Sequence, residues 1–390
     1  MSLRSLVGSL AARVYPGLDE RIWNRKRDQE FPLSVQRSTE QKSRDRDVHV
    51  LVVPQEGPDF DSWAPGRWNF YFEVWQTAIE RLGADRVSFL DVARGESWES
   101  WVPRLVALAH DTEATHIITH IESDPGSESS TWHWDVAWAE LLRSWDGVLL
   151  GVMFDSAYFW IRAQGRRLAR MSPRFVVVDI CMPMDGSMLR GRPEVGPVNM
   201  PVCATSLELV RGRCSGIQKM WDVSFIGVLY PYRVDALEEL RRSGVNVVVN
   251  PHRNDNATDY SSTKIDQPAW LDYMAALAAS RLTINFSQSN AGPVQQLKTR
   301  VIEAMIAGAV LVTDDLDRTS RFFTPGEDYL YFRRFDDLPN VISSALADLE
   351  ALESIPGRVR KRAETLANRG FWEAIDVGLE ARNLPRVPMA

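Results

Sequence analysis

The sequence is poor in cysteine, carries no net positive charge and contains no long apolar run, and each absence excludes a class of protein. Its three cysteines, Cys181, Cys203 and Cys214, follow neither a metal-binding nor a redox-type spacing, which favours reduced thiols and a cytosolic setting. The formal net charge is -7, which argues against a nucleic-acid binder, because such a protein needs a basic face for phosphates. No apolar run approaches the roughly 18 residues of a membrane span.

The N-terminal stretch, residues 1–46, lacks the pattern of a signal peptide and is predicted to be a lead-in helix and extension. Its apolar residues recur at helical spacing between arginines: Leu3, Leu6, Val7, Leu10 and Val14. Such a helix would rest on an anionic membrane surface or dock on the protein's own surface, and the sequence leaves both open. The protein is therefore expected in the cytoplasm, either free or in peripheral contact with the inner face of the membrane.

Short apolar runs alternate with helical segments over the rest of the chain, which at 390 residues exceeds what one core usually organises. This alternation is typical of doubly wound α/β domains with parallel sheets. The pattern loosens between about 185 and 220, where Gly, Pro and Arg accumulate, and this predicts the end of one domain and a linker. We therefore predict an α/β protein with two Rossmann-like domains facing across a cleft, covering residues 47–205 and 206–364.

The segment KTRVIEAMIAG, residues 298–308, follows a predicted strand and a turn-prone loop, so its helix would start at the carboxyl edge of a sheet. A helix start suits a phosphate, and the cations Lys298 and Arg300 disfavour the helix dipole unless an anion balances them. Glu303 lies one turn after Arg300, where its carboxylate can accept hydrogen bonds from two vicinal ribose hydroxyls. Spacing alone is equally compatible with a solvated surface ion pair worth well under ~1 kcal/mol.

Four segments in order resemble the donor-binding half of a known enzyme family. They are DVSFIGVLYPYR at 222–233, YMAALAASRLTINFS at 273–287, KTRVIEAMIAGAVLVTDD at 298–315 and FFTPGEDYLYFRRFDDL at 322–338. Over about residues 220–340 they resemble group-1 glycosyltransferases with the GT-B fold, and in particular the spore-maturation-type branch. The first half of the chain resembles this family only in its α/β texture.

The resemblance implies transfer of a sugar from a nucleotide-sugar donor to an acceptor hydroxyl on a glycan, a lipid-linked molecule or a protein. Glu303 matches the family glutamate that holds the nucleotide ribose, and Arg300 matches the arginine near the diphosphate. Gly227 matches the glycine where the backbone approaches the donor phosphates, and Arg233 would be a second phosphate partner. Lys298 would contact phosphate or point to water. These cations and the helix start would neutralise the leaving diphosphate without a metal or a bound cofactor.

The resemblance also assigns the domains. Residues 47–205 would bind the acceptor and residues 206–364 the nucleotide donor, while a C-terminal helix within 365–390 would cross back to the first domain. Closure of the two domains would then exclude water that would hydrolyse the donor.

One part of the family's pattern is missing. The family's retaining members carry Glu-x7-Glu, but Gln296 stands seven residues before Glu303 and Gln295 stands eight before it. The first glutamate, and with it one contact to the donor sugar, is therefore absent. The sugar and the stereochemistry stay open, and two alternatives remain: a GT-B-like nucleotide- or sugar-binding protein that has lost transfer, and a nucleotide-sugar epimerase.

Candidate catalytic residues lie in the first half. The loop PQEGPDFDSW offers Glu56, Asp59 and Asp61, and we take Asp59 as the candidate that deprotonates an acceptor hydroxyl, although a solvated acidic loop explains the same residues. His120 follows the strand-like run ATHIIT and would face the cleft, where it would bind donor or acceptor or be merely hydrogen-bonded.

Overall fold

A computed structural model describes most of the chain and divides it into two α/β units. The described residues are 18–31, 47–54, 69–127, 131–154, 156, 158–180, 195–196, 198–251, 269–288, 295–314, 316 and 318–389. Those within 1–59, 78–198 and 372–390 form the first unit, and those within 60–77 and 199–371 form the second.

The helices are amphipathic or buried segments that separate the strands. In chain order they are α1 Leu18–Glu30, α2 Phe70–Leu82, α3 Trp98–Asp111, α4 Trp134–Ser144, α5 Phe159–Met171, α6 Ala204–Cys214, α7 Pro231–Arg242, α8 Ala269–Ala278, α9 Arg300–Ala307, α10 Leu338–Ala347, α11 Leu349–Thr365 and α12 Phe371–Glu380. No described helix is both long and apolar enough to cross a membrane.

The first unit contains a five-stranded parallel sheet in the order β2-β1-β3-β4-β5. The strands are β1 Val50–Val53, β2 Val87–Phe89, β3 His116–His120, β4 Val148–Met153 and β5 Phe175–Asp179. Every residue of β1, β3, β4 and β5 is buried, as expected for a parallel sheet covered on both faces. Large aromatic side chains, among them Trp101, Trp134 and Trp138, fill the core beneath the helices.

Helix α1, inside the predicted lead-in, is attached to the first unit by ion pairs. Glu20 is buried and accepts a hydrogen bond from Arg162 at 3.0 Å, and it also pairs with Arg166. Arg27 pairs with Asp135 at 3.0 Å. Buried charges are retained only when they are paired, so these contacts fix the position of α1 on α5 and α4. The apolar stretch at residues 3–14 lies outside the described residues.

The second unit repeats the same plan. Its parallel sheet has the order β10-β9-β8-β6-β7, built from β6 Trp221–Phe225, β7 Val247–Val249, β8 Ser280–Asn285, β9 Val310–Thr313 and β10 Leu330–Tyr331. In both sheets the first strand of the unit lies between the second and the third, which is the order of doubly wound nucleotide-binding folds. The predicted α/β class with two Rossmann-like domains is thus confirmed.

The C-terminal residues are tied to the sheet of the first unit. The fully buried His116 of β3 lies with its Nε2 2.9 Å from the Pro385 carbonyl oxygen, and Arg382 donates to the Phe175 carbonyl at 2.9 Å. Burial lowers the pKa of His116 to about 4, and the hydrogen bond to Pro385 opposes this only in part. His116 is therefore neutral in the folded protein at neutral pH.

This burial predicts an acid-sensitive first unit. Because the folded pKa of about 4 lies below the ordinary value of 6.5, the unfolded chain binds the proton first. The free energy of unfolding therefore has a slope against pH that comes from His116. It is unaffected by this residue above pH 6.5 and falls by up to about 3 kcal/mol as the pH drops towards 4. In urea denaturation at a series of pH values, His116→Gln should flatten this slope, whereas the exposed His110→Gln should keep it. Equal slopes in the two variants would contradict the assignment.

Candidate functional site

The strand order places a topological switch point between β6 and β8 of the second unit. In sheets of this kind ligands bind outside the carboxyl ends of the strands at such a point. Gly227 follows β6 by two residues, and Arg300 begins α9 after the loop that leaves β8. The structure brings these two predicted residues together, because Arg300 packs directly on Gly227.

Arg300 occupies space that only a glycine leaves free. A β-carbon on Gly227 would lie 2.2 Å from Arg300 Nη2, and the guanidinium stacks on the Phe225 ring with its carbon 5.2 Å from the ring centroid. The Nε and Nη1 atoms of Arg300 are buried without a hydrogen-bond partner among the described residues. Buried donors without a partner cost about 1–3 kcal/mol each, so a hydrogen-bonded anion or water beside this side chain would be stabilising.

Glu303 is held by two aromatic donors from α8. Its Oε1 accepts a hydrogen bond from Trp270 Nε1 at 3.0 Å, and its Oε2 accepts one from the Tyr273 hydroxyl at 2.8 Å. Only 8% of Glu303 is exposed, so the alternative of a solvated surface ion pair is wrong. Each carboxylate oxygen keeps a second lone pair, and Glu303 can therefore still accept hydrogen bonds from a ligand.

The tyrosine that holds Glu303 is a permanent donor. Burial and the neighbouring Glu303 carboxylate raise the pKa of Tyr273 well above its usual range, and the charge of Arg300 opposes this. The phenol therefore keeps its proton and fixes the orientation of the carboxylate. The sequence analysis gave neither Trp270 nor Tyr273 a role. The two lie three residues apart on α8, and this i, i+3 aromatic pair is the sequence feature that could have identified them.

Arg233 is buried and engaged inside the protein. Its Nε donates to the Tyr232 hydroxyl oxygen at 2.8 Å, its Nη1 to the Val228 carbonyl at 2.9 Å, and its Nη2 to the Phe286 and Gln288 carbonyls at 3.3 and 3.2 Å. The side chain therefore ties the turn after β6 to the carboxyl end of β8. Its guanidinium fixes the backbone of these two loops and does not project into solvent.

The two arginines make this edge of the sheet electropositive. Arg233 and Arg300 approach the same Phe225 ring, with distances of 5.8 and 5.2 Å from guanidinium carbon to ring centroid. Burial lowers the pKa of Arg233, and the positive charge of Arg300 acts in the same direction. Neither guanidinium has a carboxylate ion-pair partner in the described part of the chain. A buried and a half-buried cation side by side favour an anionic ligand.

Asn250, immediately after β7, locks the Gly227 peptide in place. The Gly227 amide donates to Asn250 Oδ1 at 2.8 Å, and Asn250 Nδ2 donates back to the Gly227 carbonyl at 3.2 Å. Asn250 adopts a left-handed φ of 46°, a conformation that asparagine tolerates better than most residues. The sequence feature that could have identified Asn250 is its place between a strand and Pro251, which is a typical turn position. The Gly227 N–H thus donates its hydrogen bond to Asn250 inside the protein.

Lys298 and the two glutamines before it organise the loop that enters α9. Lys298 is half-buried and donates to Gln296 Oε1, and Gln296 is itself only 1% exposed. Gln295 accepts a hydrogen bond from the Ser287 hydroxyl at 2.5 Å. Gln295 and Gln296 stand where group-1 glycosyltransferases carry the first glutamate of their motif. Here their amide side chains bond to Ser287 and Lys298 instead.

One of the two catalytic candidates, His120, lies in the first unit. His120 ends β3 and is buried, with its Nε2 3.0 Å from the Glu122 carboxylate and its ring 4.7 Å from that of Phe154. Glu122 also accepts a hydrogen bond from the Phe154 amide at 2.7 Å, which fixes the carboxylate. The sequence pointed to His120 but gave Glu122 no role. Asp59 lies outside the described residues.

The Tyr273–Glu303 contact predicts a specific loss of stability. Tyr273→Phe removes the donor and leaves a buried carboxylate oxygen short of one hydrogen bond, so the free energy of unfolding should fall by about 2 kcal/mol. The matched Tyr331→Phe, at a tyrosine that is 40% exposed, should change it by less than about 0.5 kcal/mol. Urea denaturation measures both, and equally small changes would show that Tyr273 does not hold Glu303.

Comparisons with known proteins agree with the site. Residues 233–369 match a family described as glycosyl transferase-like, and this range contains Arg233, Lys298, Arg300 and Glu303. No curated protein sequence matches the chain.

Solved structures with similar architecture include two from cyanobacterial sources. HepE from Anabaena, in complex with UDP and glucose, is 14% identical, with a TM-score of 0.48 over 85% of this chain and 99% of that chain. A sucrose-phosphate synthase from Thermosynechococcus elongatus is 16% identical, with a TM-score of 0.49 over 86% of this chain and 98% of that chain. The chain thus combines two Rossmann-like parallel sheets with a segment of its second unit that matches a glycosyl transferase-like family.

Proposed function

We propose that this protein transfers a sugar from a nucleotide-sugar donor to an acceptor hydroxyl, with the donor bound at the carboxyl edge of the second sheet. The observation that carries the proposal is the pair of Arg300 and Glu303, held one turn apart at the switch point by Gly227, Trp270 and Tyr273. This pair offers a cation for a diphosphate and a fixed carboxylate for a ribose. The glycosyl transferase-like match over the same segment supports it.

The residues have distinct roles in this proposal. Glu303 accepts hydrogen bonds from the vicinal ribose hydroxyls, and Arg300 with the start of α9 binds the diphosphate. Arg233 contributes positive potential while it holds the two loops together. As the sugar–phosphate bond breaks, negative charge grows on the leaving diphosphate, and these fixed cations stabilise it. Lys298, with its contact to Gln296, acts on the loop or on phosphate.

Two groups are candidates for the base that activates the acceptor hydroxyl. One is the His120 imidazole, whose Nε2 lies 3.0 Å from the Glu122 carboxylate. Asp59, in the acidic loop that follows β1, is the other. The strand order supports His120, because it ends β3, and β3 lies beside the switch point of the first sheet.

The assignment to the spore-maturation-type branch is supported by the four sequence segments quoted above.

Peripheral contact with an anionic membrane is supported by the apolar spacing at residues 3–14 and by α1, on which Arg21, Ile22, Arg25 and Lys26 are exposed. A cationic face with an apolar residue, here Ile22 at 59% exposure, suits a surface of anionic headgroups.

One observation favours a second candidate, a nucleotide-sugar binding protein without transfer. Gln295 and Gln296 replace the family's first glutamate, and their side chains bond to Ser287 and Lys298. Incubation with a donor and a panel of hydroxyl acceptors distinguishes the two, since a binding protein would leave the donor intact.

The donor site predicts a nucleotide-binding defect in a single variant. A thermal-shift screen of UDP, GDP, ADP and their sugars first identifies the ligand, because binding to the native state raises apparent stability. Glu303→Gln leaves one acceptor oxygen in place of two, so affinity for that ligand should fall about 10–100-fold. The exposed Glu350→Gln should bind as the unaltered protein does. Calorimetry showing full affinity in Glu303→Gln would remove the ribose assignment.

The base assignment predicts a defect in rate without a defect in binding. His120→Gln should lower the transfer rate about 10²–10⁴-fold while the affinity for the nucleoside diphosphate stays the same. Asp59→Asn, measured in parallel, identifies which group deprotonates the acceptor. If His120→Gln transfers at the full rate and Asp59→Asn does not, Asp59 is the base and the His120–Glu122 pair is structural.

A further inference from the structure

A cavity lies at the amino edge of the sheet in the second unit, opposite the carboxyl edge that carries Arg300 and Glu303. It has a volume of about 400 Å³, and its walls include Lys219, Arg281, Arg360 and Glu353. Gly308 and Val310 also line it, which places it where α9 ends and β9 begins. Arg300 and Glu303 lie in the first turn of α9, so the cavity and the donor site are at opposite ends of the same helix.

Lys219 lies half-buried in the wall of this cavity. Its ammonium donates to the carbonyls of Ala278, Ser280 and Gly308 at 2.9, 2.8 and 2.7 Å. Two of these carbonyls lie at the C-termini of α8 and α9, where a cation is favourable for the helix dipole. Lys219 thus holds both helix ends and brings a full positive charge into the cavity.

The two arginines face the same space with weaker contacts. Arg360 is exposed and its Nη2 lies 3.4 Å from the Ala307 carbonyl, at the long end of hydrogen bonding. Arg281 lies 3.5 Å from Asp222 and 3.4 Å from Glu353, and both carboxylates are more than half exposed. Ion pairs this long, to carboxylates that are more than half exposed, contribute little, and the Arg360 contact is also long, so both guanidinium groups can bind another anion.

Positive charge is in excess in this cavity. Three cations line it against the single carboxylate of Glu353. Burial, together with the charges of Arg360 and Arg281, lowers the pKa of Lys219 to about 8, against the opposing effect of Glu353 and Cys214. Like charges that lower one another's proton affinity are relieved by a bound anion.

We propose that this cavity is a second binding site, for a small ligand that carries a tetrahedral oxyanion such as a phosphate group. Arg281 and Arg360 bind the anion, and Lys219 supplies buried positive charge beneath it. The site is separate from the proposed donor site and does not depend on its assignment. The volume of the cavity leaves room for a small organic group beyond the anion.

Sulfate is the probe for this site, titrated by calorimetry against the protein at constant ionic strength. The titrations use the Arg300→Gln background, so that an oxyanion at the donor site does not contribute. Saturable binding is expected, weakened about tenfold by Arg360→Gln or by Arg281→Gln, since each removes one charge-assisted contact. Arg358→Gln, an exposed neighbour on α11 that bonds to the Glu327 carbonyl, should bind sulfate unchanged. Absence of saturable binding, or equal affinity in Arg360→Gln and Arg358→Gln, would overturn the proposal.

The pH dependence of sulfate binding provides a second readout. Sulfate does not titrate near neutral pH, and a bound anion raises the pKa of Lys219 above its free value of about 8. Binding should therefore take up protons at pH 8 and weaken between pH 7 and pH 9. Glycerol phosphate, titrated in the same way, should bind more tightly than sulfate if the organic part of the ligand uses the remaining volume. Sulfate affinity independent of pH would contradict the participation of Lys219 and with it the proposed site.

Discussion

Arg233 is a buried cation satisfied by carbonyl oxygens and a phenol, and the carboxyl edge of the second sheet is arranged around it. Its four contacts to Tyr232, Val228, Phe286 and Gln288 join the turn after β6 to the end of β8. A cation in this position is costly unless each N–H group is paired, so the loops on both sides are held in one arrangement. That arrangement fixes Gly227, on which Arg300 packs. The positive potential of the site is a consequence of its architecture.

Helix α9 connects the features that matter for function. Its first turn carries Arg300 and Glu303, and its last turn ends at Gly308, which adopts a left-handed φ of 87° that suits glycine. Trp270 and Tyr273 hold Glu303 from α8, and Lys219 holds the C-terminal ends of both α8 and α9. The two helices are thus fixed to one another at both ends. Residues 301–307 of this short helix are all buried, so substitutions there would displace neighbouring side chains.

The sequence predicts the architecture well and the site only in part. Alternating apolar runs and helix stops define two parallel sheets, since a strand buried on both faces leaves a continuous apolar signature. The cation–glutamate spacing identifies Arg300 and Glu303, but it does not reveal that Glu303 is buried or that Trp270 and Tyr273 hold it. Those contacts join residues 30 or more positions apart in the chain, and no periodicity records such a pairing. The same reason explains why the Asn250–Gly227 clamp was not foreseen.

Arg300 and Glu303 are proposed to bind the diphosphate and the ribose of the same nucleoside diphosphate. A crystal structure of the protein with the nucleoside diphosphate that raises its thermal stability most tests this directly. The account predicts both ribose hydroxyls within hydrogen-bond distance of the Glu303 carboxylate, about 2.6–3.2 Å, and the diphosphate beside Arg300 and the start of α9. A nucleotide bound elsewhere, or bound here with its ribose turned away from Glu303, would contradict it.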